Sequence, residues 1–530
     1  MTEPRFPSRR FAQYAGRGAV GTSHHLASQA GLAALRDGGN AVDAAITAAA
    51  CLVVLEPESC GIGGDAFAIV STPDGLAGLN ASGPAGSAAD GEFLRRKGFE
   101  SMPDIGIHSV TVPGVPAAWE ALTKRYGRRS LAQNLEAAIA FARDGFIVSA
   151  VQHESLARGF AEFRALGLGG QGEFGTWVQA LCPNGVPAAG DRHRLPWHAA
   201  SLEALAADGA AGFYRGDTAD MIDIFSRALD GALRRSDWER YQPEWVDPVS
   251  VRYRGYDVWE LPPNGQGLVA LMALNILSGF EFGRKDALAW HRAIEAVKLA
   301  FSDGLAYIAD PDYMTVSVED LLSEGYAAQR RSLITDRALT PSPGNPPEGG
   351  TVYVNAADED GLMISFIQSL GSAHGSGLFI PFTGIGLQSR ARNFSLDPKH
   401  PNHLSPGKRP FHTIIPGFLT LDGEPVGPFG VMGGHMQPQG HTQVIMNAID
   451  FGCDPQEALD APRFRWDSGL AVSVEAGAGS QILDDLAKRG HEITVTEMDS
   501  LYGHGQIIWR DGDGYVGGTE PRIDGAMAMY

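Results

Sequence analysis

The sequence predicts a large α+β protein, and three observations predict it. Its 530 residues exceed what one simple core organises, so a layered or multi-lobed body is expected. Alanine-rich helical runs stand beside short strand-like runs that stop at Gly, Pro or Asp-Gly. A Pro/Gly-rich break, TPSPGNPPEGG at 340–350, separates a first part rich in helical runs from a second that opens on a hairpin.

Taken in order, a helix over 26–36 ends at Gly38 and Gly39, suited to a C-cap, and Asn40 caps a second helix over 41–51. A glycine-dense turn from Ser59 to Asp65 leads into a strand at 66–71, and another strand begins over 75–79. Helices follow over 114–123 and 131–143. Residues 151–250 alternate helical runs with loops and show no chemistry. A strand at 256–261 stops at Pro262-Pro263, and helices cover 267–277 and 288–308. Beyond the break, strands at 351–357 and 362–368 flank Asp358-Glu359-Asp360-Gly361, a hairpin signature. A chain that opens a hairpin on Thr351 just after an exposed break fits a processing site, although a plain first strand residue is the simpler reading of spacing alone.

Composition narrows the function classes. A net charge of -20 leaves no cationic surplus to neutralise nucleic-acid phosphates. The longest apolar stretch, 41–55, is short and carries Asp43 and Thr47, so no membrane span is expected. The start lacks a signal-peptide core, and the cysteines Cys51, Cys60, Cys182 and Cys453 are sparse and unpaired in spacing, which together predict a cytoplasmic protein. His24-His25, His374, His412, His435 and His441 follow no metal-ligand spacing. Gly61-Ile62-Gly63-Gly64 lacks the Lys-Ser/Thr of a phosphate loop. No metal and no cofactor is expected.

Several motifs then form an ordered set: Gly38 to Ala45, Glu56-Pro57, Gly61 to Gly64, Pro113-Gly114, Ala142 to Phe146, Pro262-Pro263 and Asp310 to Tyr313. They continue with Thr351, Asp358 to Gly361, Lys408-Arg409-Pro410, Gly433-Gly434 and Ala461 to Phe464. Over nearly the whole chain this resembles the gamma-glutamyltranspeptidase family of N-terminal-nucleophile hydrolases. The resemblance implies a four-layer αββα sandwich and a precursor that cuts itself at Gly350–Thr351. It also implies a large subunit of residues 1–350 and a small subunit of 351–530, with the number of αβ units per assembly left open. The chemistry is coherent on its own terms. A threonine hydroxyl is a poor nucleophile, but a free α-amine on the same residue can take its proton. The resemblance further assigns Gly433 and Gly434 as oxyanion donors, and Ser369 as a hydroxyl partner of the nucleophile's amine.

The pocket departs from the family where the catalytic set does not. The place of the Arg that holds a glutamyl α-carboxylate falls on Ala89, with Arg95 and Arg96 in the next segment. A family Asn becomes Gly371, its Gln and Asp become Arg390 and Asn393, its two serines become His412 and Thr413, and Val352 follows Thr351. Losing the Asp removes the partner of a substrate ammonium, while Arg390 suits a carboxylate. The expected activity is hydrolysis of a small carboxylic-acid amide, oxamate to oxalate and ammonia, with Arg390, Asn393, His412 and Thr413 as the substrate contacts. The alternatives are a glutathione hydrolase or gamma-glutamyltransferase, a cephalosporin or glutaryl acylase, and an inactive structural homologue.

Overall fold

The computed structural model describes residues 10–165, 172–341, 352–372, 374–496 and 499–530. Two seven-stranded sheets form the centre. The first runs in spatial order Ala526–Met529, Ala19–Thr22, Val352–Ala357, Met363–Ser369, Asp65–Thr72, Gly75–Ala81 and Glu244–Val246. The second runs Gln13–Ala15, Gly514–Thr519, His504–Asp511, Glu424–Met432, Gly417–Leu421, Tyr256–Glu260 and Val249–Tyr253. Neighbours in both are antiparallel. Strand Val352–Ala357 packs face to face on Glu424–Met432 and His504–Asp511, which joins the sheets.

Helices cover both outer faces, completing an αββα sandwich. Ala41–Leu55 lies over the first sheet, between it and helices His25–Arg36 and Leu131–Asp144. Covered on all sides, it can be apolar all round, and every residue in it is buried. Gly267–Leu277 does the same for the second sheet, against Ala287–Tyr307 and Met436–Ile445. Ala41–Leu55 runs beyond the predicted 51 because nothing stops it before Pro57, which holds Glu56 out of the helical region.

The buried acid in that helix is satisfied. The Asp43 carboxylate accepts from the Asn40, Arg128 and Arg129 amides and from Asn134 Nδ2. The predicted hairpin also forms, and Asp358 Oδ2 accepts from Ala41 N at 2.9 Å, so the turn caps the buried helix. Strand Ala19–Thr22 was not predicted: four small residues carry too little periodicity to register. Among the described residues no helix is long and apolar enough to cross a membrane.

Candidate active site

The site gathers where the two sheets present strand ends side by side. Thr351 and Gly350 lie outside the described residues; the strand after them starts at Val352, in register with Gln368. The next residue on that partner strand is Ser369, which in turn pairs with Asp65. Ser369 is fully buried, and its Oγ accepts from Gly371 N at 2.9 Å.

On the second sheet, strand Glu424–Met432 ends directly at Gly433 and Gly434, and helix Met436–Ile445 begins two residues later. Gly433 has φ 129° and Gly434 φ 59°, a left-handed turn that side chains disfavour. Their carbonyls accept from Met436 and Gln437, while among the described residues neither glycine N–H donates to a backbone acceptor. Open amides at a helix start are what an oxyanion needs.

Arg390 sits in a short helical turn, Arg390–Asn393, and is 1% exposed. Its Nη1 donates to Thr413 Oγ1 at 2.5 Å, but among the described residues Nε and Nη2 meet no acceptor. A buried guanidinium with two idle nitrogens is costly unless a ligand completes it. Burial lowers its pKa to about 10, with the Asp65 carboxylate opposing. Gly371 keeps the space beside it: a Cβ there would lie 2.8 Å from Ser389 Oγ and 3.6 Å from Arg390 Nε. The Arg390 side chain therefore borders the turn that holds Ser369.

The other sequence candidates divide. Thr413 orients Arg390. His412 has both ring nitrogens engaged: Nδ1 accepts from Ile414 N at 3.3 Å, so Nε2 donates to Asp65 Oδ2 at 3.0 Å. Burial, reinforced by Arg390, pushes the imidazole well below its ordinary range, so it is neutral. Asp65 is raised to about 7 by burial, opposed chiefly by Arg390. Asn393 gives its Nδ2 to Phe411 O at 2.9 Å and its carbonyl to Asn402, which ties it to the scaffold. Ala89 packs in a small apolar cluster with Ala391 and Phe394. Arg95 and Arg96 pair with Glu92 and Asp90 and supply no cation in its place.

Sequence reasoning passed over Asp65 and Gln266. Gln266 is fully buried and donates from Nε2 to the carbonyls of Thr413 and Gly434, at 2.5 and 2.9 Å. Its one sequence signal is a polar residue between two glycines just after Pro262-Pro263.

Among the described residues, His291, Glu295 and His491 form one group with metal-ligand spacing. A lysine already fills the cation's role there. Lys298 Nζ donates to Glu295 Oε1 at 2.8 Å and to Leu339 O at 3.2 Å, and lies 3.3 Å from His491 Nδ1. His291 Nε2 donates to Thr335 O, which leaves its Nδ1 to accept from His491. All four cysteines are free and buried.

Comparison with known proteins places this arrangement in a class. The structure superposes on a crystal structure of cephalosporin acylase from Bacillus halodurans with a TM-score of 0.96 at 49% identity, over 100% of this chain and 99% of that one. The chain is 36% identical over 521 residues to the glutathione hydrolase-like YwrD proenzyme of Bacillus subtilis (strain 168), covering 96% of this chain and 97% of the relative. It is 35% identical over 522 residues to the oxamate amidohydrolase proenzyme of Klebsiella pneumoniae, with the same 96% and 97% shares. The fold and these relatives define an N-terminal-nucleophile hydrolase, an amide hydrolase made as a proenzyme and activated by cutting itself into two subunits. A profile of the gamma-glutamyltranspeptidase family matches residues 27–530, and the chain belongs to that family.

Proposed function

We propose that this enzyme hydrolyses a small carboxylic-acid amide, with Thr351 as nucleophile and Arg390 as the anchor of the substrate carboxylate. The observation that carries the reading is Arg390 itself: buried, held by Thr413, and left with two nitrogens, Nε and Nη2, that meet no acceptor among the described residues. A carboxylate supplies the two oxygens and the negative charge this fork lacks. Where the resemblance places an acid for a substrate ammonium stands neutral Asn393, which spends its amide on Phe411 O.

In this reading the precursor cleaves at Gly350–Thr351, giving subunits of residues 1–350 and 351–530. Thr351 Oγ attacks the amide carbon while its own α-amine takes the proton. The Gly433 and Gly434 N–H groups receive the negative charge on the carbonyl oxygen. The C–N bond breaks, the amine leaves with that proton, and water splits the acyl ester to regenerate Thr351. Ser369 accepts from Gly371 and stands beside the start of strand Val352–Ala357, which suits it to hold the α-amine.

Oxamate is the favoured substrate, supported by the Klebsiella pneumoniae relative and by the buried cationic anchor Arg390. A longer acyl group, as in a cephalosporin or glutaryl acylase, is the second reading. The 49%-identical acylase structure favours it. Ammonia release from oxamate and glutaramate, run beside γ-glutamyl-p-nitroanilide and a glutaryl-cephalosporin, separates them. Thr351→Ala is the control and is expected to stay an uncut chain without turnover. Turnover confined to the γ-glutamyl compound would refute the carboxylate anchor, and a fully cleaved Thr351→Ala chain would refute the nucleophile.

A further inference from the structure

Gln266 touches two separate parts of the site at once, the loop at His412 and Thr413 and the turn at Gly434 and His435. Its backbone N donates to His412 O at 2.9 Å. Its Nε2 donates to Thr413 O and to Gly434 O. Its Oε1 lies 3.0 Å from His435 Nδ1. The orientation of this amide is determined by its partners, because two carbonyl oxygens on one side accept only from the nitrogen. The oxygen end must then accept, so His435 carries its proton on Nδ1. Gln266 precedes helix Gly267–Leu277 yet makes no side-chain cap to it, so its polar capacity goes wholly to the loops across from it.

Those loops are the two halves of the proposed machinery. Thr413 orients Arg390, the acid end, through its hydroxyl, and Gly434 belongs to the oxyanion turn. The Gln266 carboxamide bridges the carbonyl of the one and the carbonyl of the other. A small substrate must place its carboxylate at Arg390 and its amide oxygen at Gly433 and Gly434 together, so the separation of these points matters. A misplacement of 1 Å costs about 100-fold in rate.

We propose that Gln266 is the positioning residue that sets the distance between the acid subsite at Arg390 and Thr413 and the oxyanion turn at Gly433 and Gly434. The inference rests on the roles given to Arg390 and the glycines above. It also gives residues 1–350 a second direct part in the site, beside that of Asp65: a large-subunit side chain calibrates the small subunit's catalytic loops.

The test is a double-mutant cycle in the full-length chain, with Gln266→Met, Thr413→Val and the double variant. Maturation is followed by intact mass, and kcat and KM are measured on whichever amide the unaltered enzyme turns over fastest. Gln266→Met is expected to mature, to lose about 30- to 100-fold in kcat and to change KM less than about threefold. The double variant is expected to lose no more than about threefold beyond the worse single one, since both act through the same link. Losses that multiply, or a loss carried by KM, would overturn the proposal. Should Gln266→Met fail to mature, Gln266→Glu takes its place. It keeps the acceptor toward His435 and sets an oxygen against the two carbonyls. Failure of both to mature would assign Gln266 to folding and overturn the proposal. Because the cycle runs on the preferred substrate, an enzyme without acid-amide preference refutes the Arg390 reading alone.

Discussion

Replacing Arg390 by Met should make the free enzyme more stable and nearly inactive on acid amides. Burial depresses the guanidinium from its ordinary ~12.5 to about 10. At about 1.4 kcal/mol per pH unit this is about 3 kcal/mol. A base whose folded pKa is depressed is disfavoured in its charged form, so the cost is present at every pH below the folded value, neutrality included. Met removes the charge and keeps most of the stem's contacts. Thr413 Oγ1 then loses its donor and Asp65 its chief opposing charge, which reduce the gain, so a net stabilisation of about 1–3 kcal/mol is expected. Activity moves the other way. Removing one partner of a buried charge-assisted pair costs about 2–5 kcal/mol, or about 30-fold to several thousand-fold in kcat/KM. Two assays check this: thermal melts with and without a dicarboxylate product, and ammonia release. The melting temperature of the unaltered enzyme should rise with the dicarboxylate, and that of Arg390→Met should start higher and not respond. A variant that keeps acid-amide turnover within about threefold would refute the reasoning, because Arg390 would then meet no substrate.

Two further outcomes follow from the same geometry. Gly433→Ala places a Cβ at φ 129°, 3.0 Å from Gly503 Cα, so the oxyanion turn must shift. A kcat loss of about 100- to 1000-fold with little change in KM is expected in steady-state kinetics, and an unchanged kcat would remove the turn from catalysis. Asp65 has a carboxyl raised from 3.8 to about 7, chiefly by burial. A raised folded pKa means that its contribution to stability is fully present below about pH 4 and is lost as the pH rises through about 7. Asp65→Asn should therefore lose less stability than the unaltered enzyme between pH 5 and pH 7.5, measured by urea unfolding midpoints. The same decline in both would show that Asp65 is not the titrating group.

What the sequence determined by itself was the part written in local signals. Glycine stops, Asn40 as a cap and the Asp-Gly hairpin act over a few residues, and the helices and strands they bound appear close to where they were expected, while most of the Pro/Gly break, 342–350, lies outside the described residues. The ordered motifs identified the family and put forward Thr351 as the proposed nucleophile. The short strand Ala19–Thr22 escaped, since its place in the sheet depends on partners more than 300 residues away. The pocket was legible only as substitutions. Sequence named Arg390, Asn393, His412 and Thr413 together, and tertiary structure separated them. Arg390 keeps idle donors in a buried place, Thr413 aims it, His412 is spent on Asp65, and Asn393 on Phe411 O. Gln266 was invisible as a functional residue because nothing near it in sequence needs it. Its partners lie 147 to 169 residues away. Whether a buried polar group is satisfied depends on atoms brought together from across the chain, and folding alone decides that.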